Sequence, residues 1–151
     1  MSLFARHALL PQGWRRDVLL TWDAAGELTT VLDNAAPPDG VELAEYVLPG
    51  MVNLHSHAFQ RALGGMTEKA GSGPDSFWTW RELMYRFAGR ITPEQIEAIA
   101  AQLFVECLRH GYTAVCEFHY LQRDAAGSLY ARPAETAERV VQAARLSGIG
   151  I

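Results

Sequence analysis

His55-Ser56-His57 sets two imidazoles one residue apart, at the end of an apolar run from Tyr46 to Leu54. Side chains two apart on a strand leave the same face, about 6 to 7 Å apart along the backbone, so both rings can converge on one metal ion. Neutral imidazole is the commonest metal ligand. A chance His-x-His is the competing explanation, and placement argues against it. The run is apolar on both faces, as a strand inside a parallel sheet is, and the histidines sit where it would leave the core. A catalytic zinc site generally takes three protein ligands and an open water position, so this pair is part of a site.

The elements around the pair follow from local signals. Asp17 to Trp22, the turn Asp23 to Glu27, and Leu28 to Leu32 read as strand, turn and strand, and Asn34 to Gly40 reads as a loop. Residues 1–48 are thus a small β module. Residues 49–151 change to strands alternating with helices. A Gly-rich passage runs from Gly64-Gly65 to Gly71-Ser72-Gly73-Pro74, too long for a simple connection, and a helix is expected from about Asp75 to Gly89.

The next helix has Thr92 at its N-cap, Pro93 at the first helical position, Gln95 closing a capping box and Gly111 past its end. At about 100° per residue, Ile96, Ala100, Leu103 and Cys107 share its apolar face. The strand Tyr112 to Tyr120 follows. A third helix is expected from about Pro133 to Ser147, with an apolar stripe of Ala137, Val140, Val141 and Ala144, and Ile149-Gly150-Ile151 begins a third strand. This rhythm is that of repeated β/α units. A parallel sheet stopping two residues into a strand leaves an unpaired apolar edge, so we expect the chain to be the N-terminal part of a longer polypeptide. The fold class expected is α/β, the N-terminal part of a (β/α)8 TIM-like barrel, whose sites lie at the C-terminal ends of its strands. His55, His57 and Tyr120 all fall at such ends.

Composition narrows the function classes. The 151 residues are 49% apolar with a net charge of −4, a globular composition. Twelve arginines and the single Lys69 are scattered along the chain, which makes no electrostatic footprint for nucleic acid. The first twenty residues lack the continuous apolar stretch of a secretion signal or membrane helix, so neither a membrane nor a nucleic-acid partner is expected, and a cytoplasmic location is. Cys107 and Cys116 read as reduced packing residues.

Pro49 to His57 resembles the first barrel strand of the amidohydrolase superfamily. With Ala58-Phe59-Gln60-Arg61-Ala62, the run Asp75 to Arg86 containing Phe77-Trp78-Thr79-Trp80-Arg81-Glu82, Gly111 to Val115, and Glu117-Phe118-His119-Tyr120, the chain resembles the bacterial formimidoylglutamate deiminases within that superfamily. The resemblance covers the whole chain but about the first third of a family member. It implies a zinc-dependent hydrolase, with iron as an alternative metal, that converts N-formimidoyl-L-glutamate to N-formyl-L-glutamate and ammonia in histidine degradation. It implies His55 and His57 as metal ligands, Gln60, Arg81 and Tyr120 as substrate-binding residues, a β module that forms part of a composite β-sandwich, and a homodimer. Further ligands and the proton-transfer group would come from later sequence, so no catalytic residue is expected in this segment.

The residue chemistry agrees with those roles. The implied substrate is a dicarboxylate, and a guanidinium grips a carboxylate bidentately. Arg81 flanks a helix face made by Trp80, Leu83, Met84 and Phe87, though a snorkelling surface arginine fits the same pattern. Gln60, three residues past His57, and Tyr120 can each donate to the same ligand; alone, they read as a loop glutamine and a rim aromatic. Phe77, Trp78, Trp80 and Phe87 read as core. His119 alternates with Tyr120 and reads as structural, His110 sits at a helix C-terminus where a cation is favoured, and His7 has no visible partner. Glu117, inside a strand, needs a partner if buried, with Arg61 and Arg109 as candidates. Two other functions fit less of the chain: a guanine- or cytosine-type amidohydrolase sharing the metal site but not the carboxylate clamp, and a non-catalytic binding domain.

Overall fold

The computed structural model describes residues 1–67 and 76–151, and the chain divides into two units, Met1–Pro49 and Gly50–Ile151. The first is a four-stranded sheet of β1 (Ser2–Leu10), β2 (Gly13–Trp22), β3 (Leu28–Leu32) and β4 (Glu42–Val47) in the order β3-β2-β1-β4. β1 runs antiparallel to β2 and parallel to β4. Ala5, Ala8, Val18 and Leu20 form its buried cluster. β2 begins at Gly13, earlier than the expected Asp17, because a tight turn at Pro11-Gln12 pairs Leu10 with Gly13 and carries Trp14, Arg15 and Arg16 into the ladder. His7 does have a partner: its ring stacks on Tyr46 at 5.1 Å.

The second unit contains β5 (Met51–Ser56), a 3-10 helix (Ala58–Leu63), α1 (Phe77–Ala88), α2 (Pro93–Arg109), β6 (Tyr112–Glu117) and α3 (Glu135–Ser147). β5 and β6 pair in parallel. Gly150 then bridges Ala114 in parallel, with Val115 N donating to Gly150 O at 2.9 Å and Gly150 N to Thr113 O at 2.9 Å. Each strand therefore lies beside the one before it, the progression of a β/α barrel wall.

The helices form where their caps predict. Thr92 Oγ1 accepts from Gln95 N at 3.3 Å while Thr92 N donates to Gln95 Oε1 at 3.0 Å, and Pro93 opens α2. α1 is capped in the same way by Ser76 and Thr79; Asp75, the expected start, lies outside the described residues, as do residues 71–74 of the Gly-rich passage. α3 begins at Glu135 rather than Pro133. Arg132 to Ala134 instead form a turn in which Glu135 N donates to Arg132 O at 3.0 Å.

Ala58, Phe59, Leu63, Met84, Ile96, Ala100, Phe104, Cys107, Val115, Val140, Ala144 and Ile149 are buried in one core. Two helix stripes differ from expectation by about one residue of rotation. Phe104 is fully buried where Leu103 is partly so, and α3 buries Thr136 and Ala143 while Val141 is 38% exposed. Packing between neighbouring helices, absent from any single helix's pattern, sets that rotation. Phe77 and Trp78, expected in the core, are 62% and 66% exposed, whereas Trp80 and Phe87 pack against it. Cys107 is buried as expected of a packing residue, but Cys116 is exposed. No helix among the described residues is long and apolar enough to cross a membrane.

Candidate functional site

The two histidines sit at the end of β5, His55 within it and His57 one residue beyond. Gly50 permits that strand to lie close to its neighbour: a Cβ there would stand 2.2 Å from Thr113 Cγ2 and Oγ1. Asn53 Oδ1 accepts from His55 N at 3.2 Å, tightening the backbone between the strand and its first histidine. The rings converge, with His55 Nε2 and His57 Nε2 3.0 Å apart and the ring planes at 88°. Two imidazole nitrogens each about 2.0–2.1 Å from one ion stand about 3.3 Å apart at the tetrahedral angle and about 2.9 Å apart at a right angle, so the 3.0 Å separation fits two ligands of a single metal.

The second ring nitrogen of His57 supports the same reading. Its Nδ1 lies 2.9 Å from Phe118 O, and a carbonyl oxygen only accepts, so in the neutral ring the proton sits on Nδ1 and Nε2 offers its lone pair. Metal-binding histidines almost always give their other N–H to such an acceptor. Sequence reasoning did not find Phe118, whose contribution is a main-chain oxygen and leaves no mark on residue type. Among the described residues no group of three or more His, Cys, Asp or Glu is arranged to hold a metal. His55, His57, Leu54, Cys116, Glu117 and Phe118 line a cavity of about 500 Å³.

Gln60 and Tyr120 come together beside His57. Gln60 Nε2 donates to Tyr120 Oη at 2.9 Å, and the Tyr120 ring meets His57 edge-on at 5.1 Å and Phe59 at 5.2 Å. Tyr120 Oη also lies 3.9 Å from Met84 Sδ on α1. Burial raises the phenol's pKa, opposed by the Gln60 hydrogen bond, which keeps the proton on Tyr120 at neutral pH. β6 ends at Glu117, so Tyr120 lies three residues beyond the strand rather than at its last position. Aromatic packing on His57 and Phe59 fixes it there.

Arg81 is not brought into hydrogen bonding with Gln60 or Tyr120. Its exposed guanidinium lies over the Tyr85 ring at 4.7 Å and the Trp78 ring at 5.8 Å, along about two turns of one α1 face. His119 is half-buried with Nε2 3.0 Å from Leu121 O, and burial lowers its pKa; it serves the loop, as expected. His110 Nδ1 lies 2.8 Å from Glu106 O at the end of α2. Glu117 finds neither candidate arginine. Its Oε1 accepts from Ala58 N at 2.7 Å, while Arg61 pairs with Glu106 at 2.7 Å.

The family model described as "Amidohydrolase family" matches residues 46–151. This chain belongs to the amidohydrolase family. It is 53% identical, over 99% of its length, to a Pseudomonas aeruginosa protein named formimidoylglutamate deiminase, covering 33% of that protein. An amidohydrolase crystal structure from Brucella melitensis superposes with a TM-score of 0.92 at 44% identity, over 98% of this chain and 33% of that one. A mutant atrazine chlorohydrolase from Arthrobacter aurescens TC1, complexed with zinc and atraton, superposes at 0.71 and 18% identity over 97% of this chain and 34% of that one. The chain thus spans about a third of the relatives it matches, and its fold is a segment of the α/β amidohydrolase barrel.

Proposed function

We propose that this chain supplies the two-histidine portion of a zinc site that hydrolyses N-formimidoyl-L-glutamate to N-formyl-L-glutamate and ammonia, a step of histidine degradation. The observation that carries the reading is the His55–His57 pair, with its Nε2 atoms 3.0 Å apart and His57 Nδ1 engaged by Phe118 O. Similarity to a formimidoylglutamate deiminase favours the substrate, and the zinc-complexed neighbour favours zinc, with iron as the alternative metal. When bound, zinc supplies Lewis acidity that brings the pKa of a water to about 7, making hydroxide available at neutral pH.

His55 and His57 would hold the metal, and the Phe118 carbonyl keeps His57 in the tautomer whose Nε2 is free to ligate. Gln60 donates to Tyr120 Oη, so the phenol's own hydrogen, which here turns to the weak acceptor Met84 Sδ at 3.9 Å, is the donor for a substrate carboxylate. Arg81, braced over Tyr85 and Trp78, is the cation for a carboxylate of the same dicarboxylate. In the balanced reaction the water oxygen becomes the formyl oxygen, the C–N bond breaks and nitrogen leaves as ammonia. The same reading carries a homodimer and a cytoplasmic setting.

The test is ammonia release by the full-length protein from N-formimidoyl-L-glutamate, set against guanine and cytosine. We expect release from the amidine alone. Release from a nucleobase and none from the amidine would replace this reading with a deaminase lacking the carboxylate clamp.

A further inference from the structure

His57 is the N-cap residue of the 3-10 helix Ala58–Leu63, and it makes no side-chain cap. N-cap positions are usually filled by Ser, Thr, Asp or Asn, whose side-chain oxygen accepts one of the helix's unpaired N–H groups. An imidazole committed to Phe118 O and to His55 cannot do this. The N–H of Ala58, next in the chain, instead donates to Glu117 Oε1 at 2.7 Å, fifty-nine residues away on β6. A carboxylate is a stronger acceptor than a neutral oxygen and complements the positive end of the turn.

Three contacts then bracket His57 from the same end of β6. Phe118 N donates to Ser56 O at 2.8 Å, immediately before the histidine. His57 Nδ1 meets Phe118 O at 2.9 Å, and Ala58 N meets Glu117 Oε1 immediately after it. The Phe118 contacts come from main chain and survive substitution there; the Glu117 contact is the one that depends on a side chain. Glu117 Oε2 is buried without a partner among the described residues, a cost that an ordinary core position would avoid by carrying an apolar residue.

Resting on the metal-site reading above, we propose that Glu117 is a positioning residue for His57: its carboxylate caps the turn in place of the N-cap side chain and so holds the imidazole in its ligating orientation. It acts through the turn that carries His57. What the turn needs is an acceptor oxygen, which glutamine retains and alanine lacks.

The experiment measures zinc affinity of the full-length protein by competition with a chelator, for wild type, Glu117→Ala, Glu117→Gln and His57→Ala, with far-UV circular dichroism on each. Loss of a supporting contact to a metal ligand typically costs 10- to 100-fold in affinity. We expect Glu117→Ala to lose about tenfold or more and Glu117→Gln to stay within about threefold of wild type. In metal-free wild type, the nitrogen-15 signal of the His57 ring, assigned by its absence from His57→Ala and so told apart from His110, whose Nδ1 also meets a carbonyl, should show the Nδ1–H form, lost in Glu117→Ala and kept in Glu117→Gln. Wild-type affinity in Glu117→Ala, or equal loss in both variants, overturns the positioning role. If Glu117→Ala does not fold, Glu117→Met, which keeps the bulk of the side chain and lacks the acceptor oxygen, takes its place with the same expected loss and the same overturning result. Unchanged zinc binding in His57→Ala would instead sink the metal-site reading itself.

Discussion

At the scale of single residues, the site depends on which atoms are already engaged before any ligand arrives. Tyr120 Oη accepts from Gln60, so Tyr120→Phe removes both the proposed donor to the substrate and the acceptor that orients Gln60. A hydrogen bond to a charged group is worth about 1.5–3 kcal/mol, which corresponds to a rise in KM of about 10- to 150-fold; steady-state kinetics with the full-length protein would detect it, and an unchanged KM would remove Tyr120 from the binding residues. Arg81→Met is expected to raise KM with little change in kcat, because a clamp on a remote carboxylate acts on ground and transition states alike. A fall in kcat at constant KM would assign Arg81 elsewhere. The residues themselves were legible in the sequence to differing degrees. His55 and His57 were visible from strand periodicity, and the convergence of their rings follows from it. Phe118 O and the Glu117–Ala58 contact were not, because both depend on the register of β5 against β6, which no local pattern encodes.

At the scale of elements, the close approach of β5 and β6 is what brings Phe118 to His57, and Gly50 permits it. Gly50→Ala would set a Cβ 2.2 Å from Thr113 side-chain atoms and 2.7 Å from Thr113 Cβ, so rotating Thr113 relieves only part of the clash. Overpacking of this kind costs about 1–3 kcal/mol, seen as a lowered melting temperature of the full-length protein; an unchanged melt would show that the strands can separate at no cost. The 3-10 helix is tied to α2 by a two-bond Arg61–Glu106 pair. Arg61, with help from Gln102, lowers the Glu106 pKa from 4.5 to about 2. A carboxyl depressed in the folded state stabilises it above the unfolded value, so this contribution is complete above about pH 4.5 and is lost as pH falls through about 2. The pair is partly exposed and weakened by salt. Arg61→Met should return the Glu106 titration toward 4.5 in a carbon-13 NMR titration, and a midpoint still near 2 would mean that other groups hold it down. The capping box of α2 was readable because Thr92 and Gln95 lie three residues apart. The start of α3 was misread because Pro133 is as acceptable in the preceding turn as in a first helical turn.

At the scale of the molecule, the alternation of strand and helix was enough to indicate a β/α barrel wall, and the parallel order of β5, β6 and Gly150 agrees with it. What sequence could not supply is how neighbouring helices rotate against each other, hence the exchange of Leu103 for Phe104 in the core. It also could not foretell that Phe77 and Trp78 would be exposed. In α1 they stand on the same side as Arg81 and Tyr85, where the guanidinium lies over Trp78 and Tyr85, so the aromatic surface serves a cation instead of the interior. The central claim is that His55 and His57 are two ligands of one metal in a deiminase. The direct measurement is zinc content together with ammonia release from N-formimidoyl-L-glutamate, for the full-length protein and its His55→Ala/His57→Ala variant. About one zinc per chain and active wild type, with both lost in the variant, is the predicted result. A variant that keeps its zinc and its ammonia release would contradict the account.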